Sequence, residues 1–130
     1  MKKVLFACVE NAGRSQMAEG FFKKLAPDGY QVISAGTKPV SEINPLAIQA
    51  MKEVDIDISQ NQPKLITNEM ISESNSVVNM GCMDKESCPD LFVEDLADWD
   101  IEDPKGKSIE DIRRIRDSIE AKVKELVSDL

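Results

Sequence analysis

Short apolar runs alternating with helical stretches predict an α/β fold. The expected form is a single three-layer domain over residues 1–130, a four-stranded parallel sheet with helices on both faces. Three observations carry that prediction. Val4 to Val9 is a short apolar run of the kind a buried strand needs, and Val32–Ile33 and Ser76–Met80 offer two more. A helical pattern follows the first run, with Met17, Ala18, Phe21, Phe22 and Leu25 on one face. The chain closes on a long amphipathic stretch marked by Ile109, Ile112, Ile115, Ile119, Val123, Leu126 and Val127.

The remaining elements follow in order. Glu10 to Arg14 is polar and carries Gly13, so it reads as a loop, and Ser15 to Leu25 is the helix it feeds. Ala26-Pro27-Asp28-Gly29 ends that helix. The second strand stops at Gly36. Asn44-Pro45 is a helix start, with Asn44 as N-cap and Pro45 in the first turn, and the helix runs to about Val54. Asp55-Ile56-Asp57-Ile58 alternates and reads as extended, and Pro63 to Ser74 holds a short helix. Gly81 to Pro89 is a polar loop with two cysteines, and Leu91 to Trp99 includes a fourth short strand. Asp103-Pro104-Lys105-Gly106-Lys107 is a loop, after which Ser108 and Asp111 resemble a capping box. No internal repeat, low-complexity tract or linker interrupts the pattern.

Composition narrows the function. The chain has 130 residues, 42% of them apolar, which suits one domain with one core. The net charge is −8 and no run of Lys or Arg stands out, which argues against a nucleic-acid surface. An anion ligand would therefore need a local positive site. No apolar stretch approaches the roughly 20 residues of a membrane span. The apolar start ends at Val9 and meets Glu10, Asn11 and Arg14, so it reads as a strand rather than a signal peptide, and a cytoplasmic protein is expected. The three cysteines, Cys8, Cys82 and Cys88, are an odd number and no structural disulfide framework. With no histidine, Cys/His zinc patterns and histidine acid–base chemistry are excluded. Chemistry must run on Cys, Asp, Glu, Arg, Ser or Lys.

The loop after the first strand is the place for it. Ligands of open α/β sheets bind beyond the carboxyl ends of strands. A loop feeding a helix N-terminus points backbone N–H groups at one spot, where the helix dipole adds positive potential. Val9, Glu10, Asn11, Ala12, Gly13, Arg14 and Ser15 are the expected oxyanion-binding residues. Arg14 can grip two oxygens at once. Cys8 opens the nest, where the dipole and Arg14 stabilise its thiolate and Ser15 can donate to the sulfur. A thiolate beneath an anion is a nucleophile aimed at the anion's central atom. By itself, Cys-x5-Arg is a weak pattern, because a cysteine at a strand end is more often a small buried hydrophobe.

Cys8 to Glu19, Ser34-Ala35-Gly36 and Asp103-Pro104 together resemble the low-molecular-weight protein tyrosine phosphatase superfamily. Asn44-Pro45, the run Ala50 to Ser59 and Asp103 to Lys107 are similar to arsenate reductases of the thioredoxin-coupled type, and the resemblance covers nearly the whole chain. It implies catalytic roles for Cys8, Arg14, Ser15, Cys82, Cys88 and Asp103. Cys8 would attack arsenate while Asp103 protonates the departing oxygen. Cys82 would then attack the Cys8 sulfur, releasing arsenite, and Cys88 would attack Cys82. The electrons would come from reduced thioredoxin, with no bound cofactor. Phosphate and sulfate would compete with arsenate, and a monomer is expected.

Alternatives exist for each feature. Cys82 and Cys88 without histidine make a poor zinc site. An Asp before Pro is commonly turn chemistry, so Asp103 has a structural reading too. A tyrosine phosphatase would need only Cys8, Arg14 and Asp103. In such phosphatases aromatics usually follow Asp-Pro, and here Lys105-Gly106 does. A non-catalytic anion binder or a redox sensor would use the three thiols without turnover. Two positions depart from the pattern. Glu10 stands where related loops often carry Gly. Asn11, Glu19 and Ser34 match a potassium site of some relatives, but Lys64 stands where a carboxylate is expected. The Lys64 ammonium would replace the ion, so no metal is expected.

Overall fold

The computed structural model describes residues 2–80, 96–99 and 101–130. Its centre is β1 (Lys2–Cys8), whose alternating side chains divide the core in two. Val4, Phe6 and Cys8 face one side and Leu5 and Ala7 the other, all five at most 2% exposed. β2 (Tyr30–Gly36) pairs along one edge of β1 from Lys2↔Tyr30 to Cys8↔Gly36. β3 (Ser76–Asn79) pairs along the other edge, and β4 (Leu96–Asp98) adds to β3. All pairings are parallel, and the order is β2-β1-β3-β4. The chain leaves β1 for one neighbour and reaches the other only later. The loop after β1 therefore lies at the sheet's switch point, where open α/β folds form ligand clefts.

Among the described residues four helices cover this sheet: α1 (Arg14–Leu25), α2 (Pro45–Lys52), α3 (Asn68–Glu73) and α4 (Ile109–Ser128). Met17, Ala18, Phe21 and Phe22 of α1, Ala47 and Met51 of α2 and Ile115, Ile119 and Val123 of α4 form one core with Val4 and Phe6. Phe6 anchors it by ring contacts to Phe22 at 6.0 Å and Trp99 at 5.7 Å. On the opposite face Ile66 and Ile71 pack on Leu5, Ala7, Ala35 and Val77. Every residue of α1 from Arg14 to Phe22 is buried, polar ones included. No helix among the described residues is long and apolar enough to cross a membrane.

Helix ends explain two departures from the expected elements. α2 stops at Lys52 because the chain enters the left-handed region at Asp55, with φ 64°. Ile56 N–H donates to Met51 O and Asp55 N–H to Lys52 O, each at 3.0 Å, the pairing of a Schellman motif. Asp55 to Ile58, expected as an extended run, thus holds a helix-ending turn and joins no strand. At α4, Asp111 N–H donates to Ser108 Oγ at 3.2 Å, one half of the expected capping box. The Asp111 carboxylate instead accepts from Arg114.

Candidate active site

Cys8 ends β1 and is 2% exposed, at the foot of a cleft of about 390 Å³. The cleft is lined by the loop up to Arg14 and, across it, by Ile101, Asp103, Pro104 and Lys105. Among the described residues two groups hydrogen-bond the Cys8 sulfur: Asn11 N–H at 3.1 Å and the Ser15 hydroxyl at 2.8 Å.

The direction of the Ser15 bond follows from its neighbours. Lys64 N–H donates to Asn11 Oδ1 at 2.9 Å, which fixes that atom as oxygen. Asn11 Nδ2 must then donate to Ser15 Oγ, 2.7 Å away. With its oxygen occupied, the Ser15 hydroxyl turns its hydrogen toward sulfur. Both bonds to sulfur stabilise negative charge there.

The loop also turns its carbonyls away from the cleft. Cys8 O, Val9 O, Glu10 O and Ala12 O accept from Thr37, Lys38, Val40 and Asn44 N–H, at 3.1, 2.8, 3.3 and 2.8 Å. Asn11 O accepts from Gln16 Nε2 at 3.1 Å and Gly13 O from Met17 N–H at 2.9 Å. Every carbonyl from Cys8 to Gly13 is thus engaged elsewhere, the arrangement by which a loop can present N–H groups to an anion. The helix dipole of α1 adds positive potential at the same point.

Two glycines and one asparagine permit this path. A side chain on Gly36 would run into Val9 O and Asn11 N, so β2 lies against the loop only with glycine there. A Cβ on Gly13 would lie 2.6 Å from Pro104 Cγ, which shows how tightly the two walls meet. Asn11 has φ 53°, a conformation asparagine adopts more readily than most residues.

Arg14 is buried and ties the walls together. One terminal nitrogen donates to Ile101 O at 3.0 Å, and the other lies 3.9 Å from Asp103 Oδ2. Asp103 combines both expected readings. Its Oδ1 accepts from Lys105 N–H at 3.0 Å, a turn interaction, while Oδ2 faces Arg14. Glu10, the residue standing where related loops often carry Gly, accepts from Lys105 Nζ at 2.9 Å. That contact holds the Lys105 ammonium above its ordinary range, mainly through the hydrogen bond itself.

The structure therefore brings Cys8, Val9, Glu10, Ala12, Gly13, Arg14 and Asp103 onto one cleft, with Asn11 and Ser15 buried directly behind the sulfur. Cys82 and Cys88 lie outside the described residues. The part expected of Lys64 is corrected. It serves the network through its backbone N–H, and its ammonium turns to Gln62 O at 3.3 Å. The cation beside Glu19 among the described residues is Lys23, at 3.9 Å, and Ser34 Oγ donates to Glu19 at 3.0 Å. Among the described residues no cluster of three or more His, Cys, Asp or Glu side chains is placed to hold a metal ion. Sequence reasoning missed Gln16, fully buried, which also bonds Asn11 Oδ1, Asn61 and Gln62 O. The one signal was a glutamine in the first turn of a helix whose residues from Arg14 to Phe22 are all buried.

Residues 3–130 match the family described as low molecular weight phosphotyrosine protein phosphatase. The arsenate reductase of Staphylococcus aureus (strain Newman) is 41% identical over 129 residues, covering 98% of this chain and 97% of its own. A solved arsenate reductase in a phosphate-binding state superposes with a TM-score of 0.88 at 37% identity, covering 99% of this chain and 98% of the other. A thioredoxin-dependent arsenate reductase of Corynebacterium glutamicum gives a TM-score of 0.83 at 36% identity, covering 99% of this chain and 61% of that one.

Proposed function

The chain belongs to the low molecular weight phosphotyrosine protein phosphatase family, and on that premise we propose that it is a thioredoxin-coupled arsenate reductase acting in arsenic detoxification. Its catalytic unit is one domain over residues 1–130, working in the cytoplasm as a monomer. The observation that carries the nucleophilic step is the Cys8 sulfur, hydrogen-bonded by Asn11 N–H and Ser15 beneath a loop whose carbonyls are engaged elsewhere.

Arsenate enters the nest with its oxygens on the loop N–H groups and Arg14. The Cys8 thiolate attacks arsenic. An As–O bond breaks, and Asp103 protonates the oxygen, which leaves as water. The product is a Cys8–arsenic(V) adduct. The Cys82 thiolate attacks the Cys8 sulfur, forming S–S and breaking S–As. The bonding pair stays on arsenic, which leaves as arsenite, As(III). Two thiols have become one disulfide, which balances the two electrons gained by arsenic. Cys88 then attacks Cys82, forming Cys82–Cys88 and freeing Cys8. Reduced thioredoxin returns Cys82 and Cys88 to thiols. No bound cofactor takes part, and phosphate and sulfate compete for the nest.

A second reading, hydrolysis of a phosphate monoester, is favoured by the cleft alone, since Cys8, Arg14 and Asp103 suffice for it. Lys105 follows Pro104 where an aromatic would hold a phenol, so this activity is weak. Arsenate-dependent NADPH oxidation with thioredoxin and thioredoxin reductase tests both. Cys8→Ser, Cys82→Ser and Cys88→Ser each abolish multiple turnovers, whereas Cys82→Ser retains slow aryl-phosphate hydrolysis. Sustained arsenate turnover by Cys82→Ser would overturn the relay.

A further inference from the structure

The Glu10–Lys105 pair joins residues 95 apart in sequence, across the mouth of the cleft. Its stabilising value is small. The Lys105 side chain is 73% exposed and that of Glu10 30%, and ion pairs in that setting contribute little to folding. The walls are already joined by Gly13 against Pro104 and by Arg14 on Ile101 O. The placement matters more for the field at the mouth. Among the described residues the charged groups lining the cleft are Glu10, Arg14, Asp103 and Lys105, two carboxylates and two cations. Arg14 stands beside Asp103, so the partner left for Glu10 is Lys105. Without Lys105 an uncancelled carboxylate would stand on the loop that receives an anion, in a chain of net charge −8.

We propose that Lys105 sets the affinity of the cleft for oxyanions by cancelling the Glu10 carboxylate at its rim. This rests on reading the loop as an oxyanion site. Glu10 is the damper of the pair and Lys105 its counterweight, so the two have opposite effects on binding. A clasp that merely held the walls together would give effects of the same sign.

The test is calorimetric titration of the full chain with inorganic phosphate, which reads the nest whether or not arsenate is reduced. An uncancelled charge at the rim of a solvent-open site predicts about a fivefold change in affinity at low salt, fading as salt rises. Lys105→Met weakens phosphate binding about fivefold and Glu10→Gln tightens it. The double variant returns to within about twofold of the parent, and Lys105→Arg retains its affinity. Weakened binding in both single variants, or an unchanged affinity in Lys105→Met, would overturn the proposal. If the parent protein itself bound no phosphate, the oxyanion reading would fall first. Normal phosphate behaviour without arsenate turnover would remove the reductase reading and leave this one standing.

Discussion

Ser15→Ala isolates the group that most directly supports the nucleophile. The substitution removes the hydroxyl 2.8 Å from Cys8 Sγ and leaves Asn11 N–H as the sulfur's remaining donor among the described residues. It also strips Asn11 Nδ2 of its acceptor in a region with no exposure. A hydrogen bond to a charged group contributes about 1.5–3 kcal/mol, so the substitution removes about 2 kcal/mol of stabilisation from negative charge on the sulfur. Alkylation of Cys8 by iodoacetamide at neutral pH should therefore slow several-fold. The assay uses a Cys82→Ser/Cys88→Ser background and mass spectrometry, so that only Cys8 is read. The orphaned Asn11 amide separately costs about 1–3 kcal/mol, visible as a melting point lower by several degrees. An alkylation rate within about twofold of the parent would refute the claim that Ser15 serves the sulfur.

Three further outcomes follow from the same geometry. Gly36→Ala drives a methyl into Val9 O and Asn11 N, so it should destabilise the fold by about 2 kcal/mol or more and abolish phosphate binding by calorimetry; an intact melting point would count against the close approach. Asp103→Asn keeps the turn acceptor but cannot give a proton, so single-turnover arsenite formation should fall about 100-fold or more while phosphate affinity stays within a few-fold. At α2 and α4, the Arg113 hydrogen bond, aided by Arg116, holds the Glu53 carboxyl below its ordinary value of 4.5. A lowered folded value makes its contribution fully present above that ordinary value and lost as pH falls through the folded one. The melting-point gap between the parent and Glu53→Gln should therefore be constant near neutrality and close below pH 4.5, and a gap that persists in acid would contradict the assignment.

Local signals exposed the scaffold of the site and left its bracing hidden. The apolar run of β1, the polar loop with Gly13 and the apolar positions of α1 are local features, and the structure forms strand, loop and helix from them within two residues. Asn44 caps α2 through its side chain, as Asn-Pro implies. The bracing is nonlocal. Gln16 meets Asn61 and Gln62 across 45 and 46 residues, and Asn11 meets Lys64 across 53. No spacing rule reports such pairs, and a buried glutamine in a helix reads as a surface residue. The strap from Thr37 to Asn44 that engages the loop carbonyls has no periodicity to reveal it. Asp55 misled because alternation imitates a strand, whereas a left-handed residue with Schellman bonds ends the helix.

The most direct test of the central claim is a single turnover without reductant. Fully reduced protein is mixed with excess arsenate, and both the arsenite formed and the pairing of Cys8, Cys82 and Cys88 are measured, the latter by peptide mapping. Nucleophilic attack by Cys8 followed by the relay predicts one arsenite per chain, loss of two thiols and a Cys82–Cys88 disulfide, with Cys8 free again. Arsenite formation with Cys8 alkylated beforehand, or reduced protein that yields no arsenite and keeps all three thiols, would contradict it.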